Sequence, residues 1–190
     1  MSTNFPFKHL SEEVQFGYSS EASAHLNVEL FSPADRIKWE QRQTEHRKEE
    51  FLPSRSALAA ALNPLPLSAV YYHGNQPKHE AGYISISHTK SGAIAAFSAT
   101  VEVGVDIEGV RPQIDRIAHK FIRADEEKYY TSLGTTHAQQ LLWGLKESLF
   151  KLFGTGNVDF KKHLHITSLL PEIEGELWSG TAWIYATNEL

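Results

Sequence analysis

Between Ala138 and Phe153 apolar residues recur at helical spacing, and this is the strongest constraint the chain places on its own fold. Leu142, Leu145, Leu149 and Leu152 fall near one face, while Trp143, Glu147 and Lys151 lie one turn apart on an adjacent face. Gly154-Thr155-Gly156 stops the helix. Short strands at Leu164 to Ser168, Gly175 to Trp178 and Thr181 to Ala186 are expected to follow, joined by Pro and Gly turns.

The same succession of helix and strand occurs earlier. From Pro33 to Leu62 the pattern is helical, opening on Ser32-Pro33-Ala34-Asp35 and ending before Asn63-Pro64-Leu65-Pro66. Pro53 divides it into two helices, the first running over about Ala34 to Lys48 and rich in Arg36, Lys38, Arg42, His46, Arg47 and Lys48. Strands are expected at Ala69 to His73 and Tyr83 to Ser87, then at Ala93 to Ala99 and Glu102 to Ile107, the last two as a hairpin or in succession. Further helices are expected at Ile114 to Phe121 and Ala124 to Leu133. The expected class is α+β, with two halves, 1–100 and 101–190, meeting near residue 100.

Composition narrows the chemistry. Of 190 residues 41% are hydrophobic and 11% aromatic, enough to bury a core in one domain or in two small halves. With no cysteine, disulfides, thiolate zinc sites and thiol nucleophiles are excluded. A formal net charge of −5 gives no global pull toward nucleic acid, so an anionic ligand must be held locally. No leader-like N-terminus and no run of about 18 apolar residues is present. A soluble, cytoplasmic protein is the expectation.

Two acidic groupings stand out. In Gly104-Val105-Asp106-Ile107-Glu108 a strand would set Val105 and Ile107 on one face, Asp106 and Glu108 on the other. Taken alone, the acids are either a solvated strand end or half of a hard-metal site. On the Ala138–Phe153 helix, Glu147 and Lys151 are either a surface ion pair worth about 0.3–0.5 kcal/mol or a carboxylate standing over a metal with a cation beside it.

The two motifs together, Gly104-Val105-Asp106-Ile107-Glu108 and then Trp143 through Lys146-Glu147 to Lys151, resemble the signature of the 4′-phosphopantetheinyl transferases, in particular the larger, two-half surfactin-type members. The intervening IAHKFIRADEEKYY, the upstream Ile84-Ser85-Ile86-Ser87-His88-Thr89 and Glu50-Phe51-Leu52-Pro53-Ser54-Arg55 are similar to family segments in the same order, so that the resemblance covers about residues 30 to 170. It implies two similar α+β halves packed as a pseudo-dimer, with coenzyme A bound in the cleft between them. It further implies that Asp106, Glu108 and Glu147 ligate Mg²⁺, whose preference is for oxygen ligands. Lys151 would answer charge on the pyrophosphate as the serine of an apo acyl or peptidyl carrier protein attacks and 3′,5′-ADP leaves. Glu147 would take the serine proton, directly or through a metal-bound water.

Lys146, about 100 degrees around the helix from Glu147, would add to the same field or point to solvent. Arg55, Ser87 and His88 resemble positions that hold the 3′-phosphate and adenine end, and Arg42 is a further candidate on the same grounds. The N-terminal half would thus serve the nucleotide, and the C-terminal half the metal and the chemistry. A monomer is expected rather than the trimer of single-half members.

The chain departs from the family in two places. Gln76, in Gly74-Asn75-Gln76-Pro77-Lys78, stands where many relatives carry a nucleotide-contacting lysine, and the C-terminus is short by about one strand. A non-catalytic relative that binds only coenzyme A or a carrier is the alternative reading. A metal-dependent nuclease, the rival enzyme class, would need its Glu and Lys on adjoining strands rather than four residues apart on a helix.

Overall fold

The protein is described from a computed structural model, over residues 13–20, 26–44, 48, 51–154, 157–173 and 177–185. It is a mixed helix-and-sheet protein of two compact units, Met1–Val103 and Gly104–Leu190.

In the N-terminal unit β1 (Gln15–Ser20), β5 (Gly92–Ser98) and β4 (Tyr83–Thr89) form an antiparallel sheet in the order β1-β5-β4. Helix α2 (Phe51–Leu62) lies on it, burying Ala57, Leu58, Ala61 and Leu62 against Ile84, Ala93, Ala95 and Phe97. The approach is very close. A Cβ on Gly17 of β1 would stand 1.9 Å from the Ala57 carbonyl oxygen and 2.6 Å from the Ala61 nitrogen, so only glycine fits there. Pro53 sits in the first turn of α2, where its missing N–H costs nothing because early helical N–H groups have no intrahelical acceptor.

Helix α1 spans Pro33–Glu40, with Ser32 Oγ accepting the Asp35 N–H at 3.0 Å. It ends short of the expected Lys48. After Trp39 the stretch Glu40-Gln41-Arg42-Gln43-Thr44 has no apolar side chain with which to bury a further turn. The remainder of that expected helix at 45–47 and 49–50, with His46 and Arg47, lies outside the described residues, as do Thr155-Gly156, Gly175 and Ala186.

Two strand expectations are corrected. Gly92–Ser98 pairs backward with Tyr83–Thr89, so the hairpin precedes residue 99, and 102–110 contains no strand. A second hairpin, β2 (Val70–His73) and β3 (Gln76–His79), turns at Gly74, whose φ of 61° suits glycine.

In the C-terminal unit α3 (Ile114–Phe121), a 3₁₀ turn at Ala124–Glu126, α4 (Tyr129–Leu133) and α5 (Thr135–Phe153) precede a hairpin of β6 (Leu164–Ile173) and β7 (Leu177–Ile184). The three short strands expected here are two longer ones, with irregularities between Ile166 and Ser168 and between Pro171 and Ile173. Ile114, Phe121, Ala138, Leu142, Ile166 and Leu169 build the core. Gly154, at φ 83°, closes α5 with its N–H on the Phe150 carbonyl. Gly104 repeats the device of Gly17: its Cβ would stand 2.1 Å from the Ser148 carbonyl oxygen and 2.9 Å from the Leu152 nitrogen.

Candidate active site in the C-terminal unit

Gly104 presses the chain against the backbone of α5, and Val105 is buried just beyond it. Asp106 follows directly, and its Oδ1 accepts Lys151 Nζ from α5 at 2.6 Å. Gly144 of α5 lies alongside it, and a Cβ there would be in ordinary van der Waals contact with Asp106 Oδ2 at 3.7 Å. Two residues on, Glu108 Oε1 accepts the Trp143 indole N–H at 3.0 Å, and both Glu108 oxygens take the Arg111 guanidinium at 2.9–3.0 Å. The indole is held by Phe121 on its edge at 5.1 Å and by Phe160 stacked at 5.7 Å.

Glu147 completes the group. Its partial burial, the Asp106 carboxylate and, more weakly, Glu108 hold its carboxyl above the ordinary glutamate value, against the pull of Lys151 and Arg111. Asp106, Glu108 and Lys151 therefore all act electrostatically on Glu147, although the four residues come from two separate stretches of chain. The absence of a ladder over 102–110 leaves this intact, because Gly104 and α5 position the acids.

The donor chemistry, three carboxylate groups, suits a hard divalent ion. The geometry does not offer one a finished ligand set: among the described residues no group of three or more His, Asp or Glu side chains is arranged to hold a metal. Asp106 and Glu108 border a cavity of about 640 Å³ with Val110, His137, Leu141 and Ser148, whereas Glu147 borders another of about 470 Å³ with Lys120, Trp143, Phe150 and Phe160. Lys151 and Arg111 meanwhile serve as counter-ions to Asp106 and Glu108. The three acids thus line two cavities, while Asp106 and Glu108 both act electrostatically on Glu147.

Lys146 does not join the group. It is fully buried, and its ammonium donates to Glu126 at 2.7 Å and to the carbonyls of Phe121 at 2.6 Å and Phe160 at 3.2 Å. Burial draws its pKa down while Glu126 draws it back up. Glu126, also fully buried, accepts in addition the N–H groups of Arg123 at 2.9 Å and Ile166 at 2.8 Å. The pair ties α5 to the 3₁₀ turn and to β6. The only advance sign of it was a glutamate three residues after Arg123, placed to cap the turn.

Arg55 has partners within its own unit. Only 5% exposed, it donates from Nε to Asp35 at 2.8 Å and bonds the Tyr72 hydroxyl, so its fork is committed inside the N-terminal unit. Its guanidinium also lies 3.9 Å from the Phe51 ring centroid, and that of Arg42 lies 4.6 Å from it. Burial pushes the Tyr72 hydroxyl well above its ordinary value. Ser87 and His88 are neighbours on β4, Ser87 buried and His88 exposed, and Gln76 opens β3.

Comparison with curated proteins finds no match. A family model, the 4′-phosphopantetheinyl transferase superfamily, matches residues 102–181. The matched stretch takes in Asp106, Glu108, Glu147 and Lys151 together with the elements that hold them. Over this stretch, somewhat less than half of the chain, the protein is similar to the 4′-phosphopantetheinyl transferase superfamily, a family of transferases of the phosphopantetheinyl type that use coenzyme A as substrate.

Proposed function

We propose that this protein transfers the 4′-phosphopantetheine arm of coenzyme A to a serine of an apo acyl or peptidyl carrier protein, with Mg²⁺, releasing 3′,5′-ADP. The observation that carries the reading is the 2.6 Å ion pair between Asp106 and Lys151, with Glu147 one turn from Lys151 on α5, inside the unit that matches the family. The arrangement of two similar halves as a pseudo-dimer enclosing coenzyme A, with Ser87, His88 and Arg42 on the nucleotide side, belongs to the same proposal. So do a cytoplasmic, monomeric state and the division of roles between 1–100 and 101–190.

In this reading the serine Oγ forms a bond to the pantetheine-side phosphorus, the pyrophosphate P–O bond breaks, and 3′,5′-ADP carries away the electron pair. Lys151 pivots from Asp106 to the phosphate oxygens, placing a positive charge where negative charge accumulates. Glu147, whose surroundings strengthen its hold on a proton, receives the hydrogen of the serine hydroxyl. A magnesium ion held by Asp106, Glu108 and Glu147 would neutralise pyrophosphate charge.

The reading is tested by incubating the protein with coenzyme A, Mg²⁺ and a panel of apo carriers, then weighing the carriers by mass spectrometry. A mass gain of one phosphopantetheine is expected, and Asp106→Ala abolishes it. A second reading, a relative that binds coenzyme A or a carrier without catalysis, draws on Gln76 and on the committed fork of Arg55. Bound coenzyme A with no mass gain on any carrier would favour it.

A further inference from the structure

Glu108 is already gripped. Arg111 donates from Nε to Oε2 at 3.0 Å and from one terminal nitrogen to both oxygens at 2.9 Å, while the Trp143 indole N–H donates to Oε1 at 3.0 Å. The grip is anchored, because the Arg111 backbone N–H donates to Gln140 Oε1 on α5 at 2.9 Å and its guanidinium lies 5.3 Å from the Trp143 ring centroid. A fork of this kind covers the edge of the carboxylate that a divalent ion would use. The two groups differ in exposure: the Arg111 side chain is 47% exposed and that of Glu108 is 17% exposed. An arginine so open to water can be displaced, since screened pairs of this kind contribute little.

We infer that Arg111 is a latch on Glu108, an internal counter-ion that a divalent cation must displace, so that this arginine sets the cation affinity of the site and Trp143 registers its release. The inference rests on the proposed cation site and assigns Arg111 a positioning role toward Glu108. Lys151 cannot serve in its place, because it neutralises Asp106. Released, the Arg111 guanidinium faces solvent beside the acids as a free cation, whereas its backbone stays bonded to Gln140.

The test is a Mg²⁺ titration of the coenzyme A-free protein and of Arg111→Gln, read by calorimetry and by the indole N–H resonance of Trp143, assigned through its loss in Trp143→Phe. In the wild type Mg²⁺ is expected to shift that resonance. Arg111→Gln is expected to bind Mg²⁺ roughly three- to tenfold more tightly, the range for a partly screened ion pair with one extra hydrogen bond. Arg111→Lys, a point charge without a fork, should fall between the two. Equal or weaker binding by Arg111→Gln, binding that leaves the indole resonance unmoved, or no binding by either protein overturns the latch. Carrier modification is followed in parallel: transfer with an unchanged Mg²⁺ requirement in Arg111→Gln removes the latch alone. Tighter Mg²⁺ binding by that variant without transfer by the wild type removes the functional reading alone.

Discussion

Replacing Lys146 by methionine keeps the length of the side chain and removes its charge from a fully buried position. Three acceptors lose their donor: Glu126 and the carbonyls of Phe121 and Phe160. Breaking a buried ion pair from one side costs about 3–5 kcal/mol, because the remaining carboxylate stays desolvated without a partner charge. Here the Arg123 and Ile166 N–H groups still support Glu126, which places the loss toward the lower end, near 3 kcal/mol. With a urea slope of about 1–3 kcal/mol per molar, the unfolding midpoint of the C-terminal unit falls by roughly 1–3 M. Urea denaturation measures that fall, and hydrogen exchange at the Ile166 amide, which bonds Glu126, reports it locally. Adding Glu126→Gln to Lys146→Met removes the orphaned charge and restores about 1–2 kcal/mol, a coupling that a double-mutant cycle isolates. A loss below about 1 kcal/mol, with unaltered protection at Ile166, would refute the assignment of Lys146 to the scaffold.

Glu147→Gln abolishes transfer yet raises the melting temperature at neutral pH. The folded-state pKa of Glu147 lies above its ordinary value of 4.5, so the favourable contribution of its protonated form is complete below that value and is lost as pH rises through the folded pKa. The stability difference between the two proteins should therefore shrink as pH falls toward 4.5 in thermal melts. Gly104→Ala forces a methyl group onto the Ser148 carbonyl, costs about 1–3 kcal/mol in denaturant unfolding, and lowers transfer by displacing Asp106. Gln76→Lys restores the charge many relatives carry at that place, and under the proposed function it lowers the KM for coenzyme A with little change in kcat.

Much of the C-terminal unit could be read from one-dimensional pattern. Leucines at helical spacing announced α5, Gly154 marked its end, and Ile114–Phe121 was recognisable from its own periodicity. That Asp106 and Lys151 lie together was legible only through the family resemblance of the two motifs, because no spacing relates residues so far apart in the chain. Less legible was whatever depends on contacts distant in sequence. Glu102–Ile107 has strand composition, but strand state requires a neighbour's hydrogen bonds, and its place is set by Gly104 lying on α5. β1 escaped notice because its partner, β5, lies more than seventy residues further on. Lys146 and Arg55 read as solvent-facing or ligand-facing cations, since nothing local to either names Glu126 or Asp35 as a buried partner. Arg111 was passed over for a related reason: its role depends on a loop conformation that places Gln140 and Trp143 beside it.

The seat of Gly104 on α5 has a mechanical consequence. Backbone rests on backbone there, with the Ser148 carbonyl and the Leu152 nitrogen as the nearest stops, which leaves little to absorb a displacement. Sliding or tilting α5 must drag the neighbouring segment along, so Asp106 and Glu147 travel as passengers on one stiff part. Strain arriving from elsewhere can carry the reactive ensemble bodily, but it cannot pull those two acids apart without first lifting a glycine off a helix.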